Sequence, residues 1–151
     1  MKPKPIPDGY PAVAPYLIVN GAAKAIDFYK NIFGATERMR MDKPDGRVGH
    51  AELLISGSLV MLAEECTGAR GPQSIGGSPV ILHLYVEDVD TVISSALAAG
   101  ATATQPVETK FYGDRSGGVI DPFGHHWHIS THVEDVSPDE MQKRAAAAKK
   151  P

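Results

Sequence analysis

The stretch that decides the fold is DPFGHHWHIS, residues 121–130. It places three of the chain's six histidines, His125, His126 and His128, within four positions. Three imidazoles this close suggest a metal site, and Asp121 would be a further ligand. Neighbouring residues of a strand point to opposite faces, however, so the three rings cannot converge locally. The stretch is better explained as a DPFG turn that joins two strands.

The chain repeats its order of elements. A strand, a helix and three strands are predicted over about residues 11–65, and the same order returns over about residues 80–132. Asn20 is the expected N-cap of the first helix. One offset of 67 positions superposes both ends of the two modules, as when Leu17 falls on Leu84. The repeat predicts an α+β fold in which two paired βαβββ modules form a cup-shaped mixed sheet.

Two segments lie outside the modules. Residues 66–79 hold four glycines and two prolines, which predicts a linker or a mobile loop. Near the end, Ser137 and Glu140 have the spacing of a capping box, which predicts a C-terminal helix over residues 137–149. The chain has 151 residues, so we interpret the whole of it as one domain.

Composition excludes several classes of function. The 15 basic residues are scattered and the net charge is −3, which argues against a nucleic-acid partner. Because the sequence has no run of about 18 apolar residues, we expect no membrane span. The first residues lack the apolar core of a secretory signal. The single cysteine, Cys66, suits the reducing cytoplasm, which is the expected location.

Three motifs carry a family resemblance. They are AIDFYKNIFGA (25–35), HLYVEDVD (83–90) and DPFGHHWHISTHVEDVSPDEM (121–141). Together they resemble the PhnB-like branch of the glyoxalase, bleomycin-resistance and dioxygenase superfamily, which has the vicinal oxygen chelate fold. That superfamily includes isomerases, ring-cleaving dioxygenases, antibiotic-modifying enzymes and metal-free binding proteins. The resemblance therefore implies the fold more directly than the reaction.

The resemblance also implies where a metal would bind. In metal-dependent members, residues on the first and last strands of both modules hold the ion. Mapped through the repeat, these slots fall at Ala14, Met61, Ile81 and His128. Only His128 is a good ligand for Zn, Ni, Fe or Mn, whereas a catalytic site needs about three protein ligands. We therefore expect no metal or other cofactor.

A shifted register leaves a metal site open as the alternative. His83 shares a strand face with Ile81, and Glu52 lies on the strand HAELL of the first module. A divalent metal bound by His128, His83 and Glu52 is therefore conceivable. In the plainer interpretation, His83 is a pocket imidazole and Glu52 is a polar anchor for a ligand.

The sequence thus predicts a ligand pocket but no assigned catalytic residue. Arg115 would bind a carboxylate or phosphate, or else form a solvated charge pair on a hairpin. The predicted pocket residues are Ala14, Tyr16, Glu52, Met61, Ile81, His83, Arg115 and His128.

Two functions follow. The first is a metal-free protein that binds a small apolar or aromatic molecule, as in resistance or sequestration. The alternative is a metal-dependent enzyme acting on vicinal oxygens of a small substrate. The resemblance further implies a homodimer, and the segment 66–79 is long enough for two chains to exchange modules.

Overall fold

The computed structural model describes residues 2–148. Contacts within the chain divide it into two compact units that separate between Gly77 and Ser78. Each unit contains its own four-stranded sheet, with parallel and antiparallel strand pairs. The predicted α+β architecture of two βαβββ modules is confirmed.

The first unit contains the first sheet. Its elements are β1 (Tyr16–Val19), α1 (Ala22–Phe33), β2 (Thr36–Asp42), β3 (Val48–Ile55), β4 (Ser58–Glu64) and the short α2 (Pro72–Ile75). The strand order is β1-β4-β3-β2, and β1 runs parallel to β4. A parallel pair needs a crossover connection, which α1 and the β2–β3 hairpin supply.

The second unit repeats this plan in the second sheet. Its elements are β5 (Ile81–Tyr85), α3 (Val89–Ala98), β6 (Thr102–Thr109), β7 (Asp114–Ile120), β8 (His126–His132) and α4 (Pro138–Ala148). The strand order is β5-β8-β7-β6, and β5 runs parallel to β8.

The strand registers confirm the sequence repeat. Tyr16 pairs with Met61 in the first sheet, and His83 pairs with His128 in the second. Both members of the second pair lie 67 positions after their counterparts, which is the offset found in the sequence. The two sheets therefore place corresponding residues at corresponding points of the backbone.

One helix covers one face of each sheet. The apolar side of α1 buries Ala25, Ile26 and Tyr29, which recur at helical spacing. Leu17 and Leu62 are buried on the first sheet. In the second unit, α3 buries Val89, Ile93 and Ala96 in the same way. We call the face opposite α1 or α3 the free face of that sheet.

Helix α1 is not capped as the sequence suggested. Its N-cap is Gly21 rather than Asn20, and Gly21 offers no side chain. The carboxylate of Glu64, at the end of β4, accepts hydrogen bonds from the backbone N–H of Gly21 at 2.7 Å and of Ala22 at 3.1 Å. A distant acidic side chain thus satisfies the first N–H groups and complements the helix dipole.

The segment 66–79 is more ordered than predicted. It contains α2, and Cys66 and Ala69 form an isolated bridge. The carboxylate of Glu65 accepts hydrogen bonds from Gly71 N–H at 2.9 Å and from the Ser74 hydroxyl at 2.7 Å. One carboxylate therefore fixes the start of this segment.

The C-terminal helix α4 follows the prediction within the described residues. The hydroxyl of Ser137 accepts from the N–H of Glu140 at 3.2 Å, as expected of a cap. Position 149, where the predicted helix ends, lies outside the described residues. Arg144 holds the helix by donating to both oxygens of Glu134, at 2.8 and 2.9 Å, and to the Phe111 carbonyl at 3.1 Å. Across residues 2–148, no helix is long and apolar enough to cross a membrane.

Candidate functional site

Polar side chains are concentrated on the free face of the second sheet. Paired residues of neighbouring strands share a face, so the register assigns each side chain to one side of the sheet. His83 pairs with His128, and Tyr85 pairs with Ser130. The residues of β5, β7 and β8 on this free face are Ile81, His83, Tyr85, Asp114, Ser116, Gly118, Ile120, His126, His128, Ser130 and His132.

Two histidines form the centre of this face. The rings of His83 and His128 lie 5.1 Å apart in an edge-to-face arrangement. His83 also stacks on Tyr85 at 4.7 Å, and its Nε2 is 3.1 Å from the hydroxyl of Ser130. Burial, and then the neighbouring His83, lower the pKa of His128, so this imidazole stays neutral at neutral pH. Imidazole nitrogens at this spacing can accept a hydrogen bond or bind a metal.

Asp114 organises the edge of the same face. It is buried, and its two oxygens are 2.7 Å from the hydroxyl of Tyr85 and 2.8 Å from Nδ1 of His132. Burial raises the pKa of Asp114, but hydrogen bonds from His132 and Tyr85 outweigh it and hold the pKa below its usual value. Hydrogen bonds to Asp114 and then to Asp135 raise the pKa of His132. The result is an anchored carboxylate at the end of the face.

Ser116 is the exception in this network. Its side chain is fully buried, yet within the described part of the chain its hydroxyl oxygen has no hydrogen-bond partner. It lies across from Ser130 in the strand register, on the same side of the sheet as His83 and His128. A buried hydroxyl without a partner costs about 1–3 kcal/mol. Ser116 is therefore a group that a bound polar atom would satisfy.

The free face of the first sheet carries a second polar group. Glu52 is buried, and it pairs with Met61 in the register. One of its oxygens accepts from the hydroxyl of Tyr10 at 2.8 Å, and the other lies 2.9 Å from Nε2 of His50. Tyr16 lies 2.8 Å from the other nitrogen of the same histidine. The N-terminal arm, through Tyr10, thus reaches over this face.

The structure separates the predicted pocket residues into three groups. Tyr16, Glu52 and Met61 lie on the free face of the first sheet, with Ala14 just before β1. Ile81, His83 and His128 lie on the free face of the second sheet.

Arg115 lies elsewhere, on the helix-covered face. There it donates to both oxygens of Asp90 of α3, at 2.7 and 2.9 Å. This ion pair fits the solvated charge pair that the sequence left open, although the partner is on a helix rather than on the hairpin.

Within residues 2–148, the expected donors do not form a three-ligand metal centre in either unit. Glu52 belongs to the first unit, where Tyr10 and His50 occupy its oxygens. His83 and His128 supply two nitrogens in the second unit. Among residues 2–148, no group of three or more His, Cys, Asp or Glu side chains is arranged to hold a metal ion.

The histidine-rich stretch has a structural role that the sequence only partly indicated. Asp121 is buried, and one of its oxygens accepts from the backbone N–H groups of Phe123 at 2.9 Å and His125 at 3.1 Å. The other oxygen accepts from Nε1 of Trp127 at 2.8 Å. Asp121 therefore holds the DPFG turn and the following tryptophan together.

Sequence reasoning missed several of these groups. Ser116, Asp114 and His132 were not proposed as pocket residues, and neither were His50 and Tyr10 in the first unit. Strand alternation was a usable signal for His50, because it lies two positions from Glu52, which the sequence had assigned to the pocket. The contact of Tyr10 depends on the arm folding back, which alternation does not encode.

Comparison with known proteins identifies the family. The model of the glyoxalase/bleomycin resistance protein/dioxygenase superfamily matches residues 11–129. The chain belongs to this superfamily. The match spans both units, so the DPFGHHWHIS stretch and the first helix are both part of the superfamily fold.

Individual relatives and solved structures are similar over most of the chain. The uncharacterized protein Rv0887c from Mycobacterium tuberculosis is 47% identical over 137 residues, covering 87% of this chain and 81% of that protein. The structure of TioX from Micromonospora sp. ML1 is similar with a TM-score of 0.64 and 28% identity, covering 82% of this chain and all of TioX. The PhnB protein from Bacillus cereus has a TM-score of 0.64 at 18% identity, covering 80% and 99% of the two chains, and so shares the fold.

Proposed function

We propose that this protein binds a small apolar or aromatic molecule without a metal, and that the free face of the second sheet supplies the contacts. The observation that supports this most directly is Ser116. Within the described residues, its oxygen is the buried side-chain polar atom for which no hydrogen-bond partner is found. A hydroxyl, carbonyl or amine of the ligand would supply the missing hydrogen bond.

The apolar character of the proposed ligand rests on exposed side chains of the same face. Ile81 is 63% exposed and Tyr85 is 54% exposed, although both are large and largely apolar. Apolar side chains that stay in water next to a polar cluster are typical of ligand sites. Tyr85, Ser130 and Ser116 pair across three neighbouring strands, so a ring that packs on Tyr85 lies in the same row as Ser116.

Metal independence is supported by the chemistry of the expected metal positions. Ala14 and Ile81 have no donor atom, and the thioether of Met61 prefers soft ions such as Cu(I). These three side chains suit an apolar ligand better than a hard cation.

Binding is tested with a panel of small aromatic alcohols, phenols and carboxylic acids. Compounds that raise the melting temperature of the purified protein are then measured by calorimetric titration against Ser116→Ala. Loss of one hydrogen bond is expected to weaken binding roughly tenfold. Ser94→Ala, an exposed serine of α3, is the matched control and should bind like the wild type. A panel without any hit, or equal affinity in Ser116→Ala, would contradict the proposal.

The alternative is a metal-dependent enzyme acting on vicinal oxygens, and one observation favours it. The neutral His128 and its neighbour His83 face the same side at a spacing that suits two nitrogen ligands. Elemental analysis of protein purified without a histidine tag decides between the two. A stoichiometric divalent ion that is lost in His83→Ala and His128→Ala would overturn the metal-free proposal.

We also propose that the protein is a homodimer in the cytoplasm. The free, exposed thiol of Cys66 is compatible with a reducing compartment. The glycine pair Gly76-Gly77, where the two units separate, has left-handed backbone angles and offers a hinge for exchanged modules. Gel filtration with light scattering at micromolar concentration should give twice the chain mass of 16.1 kDa. A monomer would contradict the dimer.

A further inference from the structure

A chain of hydrogen bonds crosses the free face of the first sheet, from a buried carboxylate to an exposed phenol. The buried end is Glu52, which is 3% exposed. Its oxygen lies 2.9 Å from Nε2 of His50, and Nδ1 of the same ring lies 2.8 Å from the hydroxyl of Tyr16. Tyr16 is 48% exposed, so the far end of the chain is accessible to small molecules.

The protonation of Glu52 sets the direction of these bonds. The hydrogen bond from His50 and then that from Tyr10 hold the pKa of Glu52 below its usual value, with Arg38 3.9 Å away. An ionised carboxylate only accepts hydrogen bonds, so a His50 ring with a single proton must carry it on Nε2. Nδ1 is then a lone pair, and the hydroxyl of Tyr16 must donate to it.

The oxygen of Tyr16 gains a basic partner from this arrangement. When that oxygen forms a new bond, its own proton can pass to Nδ1 of His50, and Glu52 stabilises the resulting imidazolium. Tyr85 in the second unit makes a useful contrast. Its hydroxyl also donates, but to Asp114, whose lowered pKa makes it a poor proton acceptor.

The fold does not require this chain of hydrogen bonds. At the corresponding points of the second sheet, the register places His83 where the first has Tyr16, and Gly118 where the first has Glu52. Both sheets form with the same strand order despite the difference. The three linked side chains of the first sheet are therefore an addition to the scaffold.

We propose that Tyr16, His50 and Glu52 form a proton relay that acts as a general base toward a small molecule with a weakly acidic hydroxyl. The ligand O–H bond breaks as its proton joins the Tyr16 oxygen, while the Tyr16 proton moves to His50 Nδ1. The ligand is held as an oxyanion beside Tyr16, and the proton on Nδ1 of His50 returns along the relay when the ligand is released. The relay lies in the first unit and does not depend on ligand binding by the second sheet.

Labelling with a small aryl sulfonyl fluoride tests the relay without a known ligand. The Tyr16 oxygen bonds to sulfur, fluoride leaves, and the phenolic proton passes to His50. Peptide mapping by mass spectrometry gives separate rates for Tyr16 and for Tyr85, which is similarly exposed. We expect Tyr16 to react at least about tenfold faster. Equal rates in the wild-type protein would overturn the proposal, whatever the variants do.

Two variants test whether His50 causes the faster labelling of Tyr16. His50→Gln should reduce the Tyr16 rate to that of Tyr85, because glutamine cannot take up the proton. Asn31→Ala, an exposed position of α1, is the control and should leave both rates unchanged. An unchanged Tyr85 rate in His50→Gln shows that the second unit is intact, and circular dichroism checks the first. A fast Tyr16 in folded His50→Gln protein would show that exposure alone explains the reactivity.

Discussion

The carboxylate of Asp121 accepts the indole N–H of Trp127 at 2.8 Å while its other oxygen caps the turn between them. Asp121→Ala should therefore destabilise the protein by about 2–4 kcal/mol, because buried N–H groups lose their acceptor. Urea unfolding followed by fluorescence of the single tryptophan measures this directly. Asp139→Ala, an exposed residue of α4, is the control and should change stability little. Equal stability of the two variants would contradict a structural role for Asp121.

Removal of the Ser116 hydroxyl should stabilise the protein in the absence of ligand. Alanine fills nearly the same space without burying an unpaired polar atom, so we expect a gain of about 1 kcal/mol. The urea midpoint should rise with an unchanged slope, whereas Ser130→Ala, which removes a bonded hydroxyl, should lower it. A destabilised Ser116→Ala would mean that the hydroxyl already has a partner in solution.

The two histidines with shifted pKa values should titrate in a fixed order. His132 has its pKa raised above the usual 6.5 by Asp114 and then Asp135, whereas burial lowers that of His128. NMR titration of the imidazole protons should show His132 losing its proton at the higher pH. In Asp114→Asn the midpoint of His132 should fall. If His132 titrates below His128, the hydrogen bonds to Asp114 and Asp135 are absent in solution.

The raised pKa of His132 also affects the stability of the fold. A histidine whose folded pKa is raised stabilises the fold fully below its unfolded pKa, and loses that contribution as pH rises through the folded pKa. The free energy of unfolding should therefore fall as pH rises from about 6.5 upward. It should fall less in His132→Asn. The difference between the two proteins, measured by urea unfolding at several pH values, isolates this contribution. Parallel curves would contradict it.

Arg144 should control the docking of α4 with little effect on global stability. The helix has no fully buried residue, so its position depends on the contacts of Arg144 with Glu134 and Phe111. In Arg144→Met, amide hydrogen exchange in α4 should accelerate while the sheet amides stay protected. Lys143→Met on the exposed side of the helix is the control. Unchanged exchange in Arg144→Met would show that other contacts hold α4.

The sequence predicted the repeat because periodicity records which face of an element is buried. Leu17 and Leu84, 67 positions apart, are both buried on the helix-covered faces, so their spacing reflected real equivalence. Arg115 was harder to place, since a charged residue beside a turn gives no burial signal. Alternation from the buried Val119, four positions on, would have assigned it to the helix-covered face.

The polar networks could not be predicted from the sequence, for a physical reason. Tyr10 and Glu52 lie 42 positions apart, and their hydrogen bond depends on the path of an arm without regular structure. Likewise, the unpaired state of Ser116 follows from what is missing around it, which local sequence does not encode. Register assigns side chains to a face, but it does not determine which of them touch.

The two crossover helices depend on the rest of the chain to different degrees. Asp88 caps α3 locally by accepting from the Thr91 N–H, and the Val89 N–H of the same helix donates to Thr131, 42 positions on. Helix α1 receives its cap from Glu64, 42 and 43 positions beyond the N–H groups that it satisfies. Its first turn is complete only after β4 has joined the sheet. Helix α3 has a local side-chain cap in addition to its distant one and α1 has none, so we expect the second unit to acquire helical structure first during refolding.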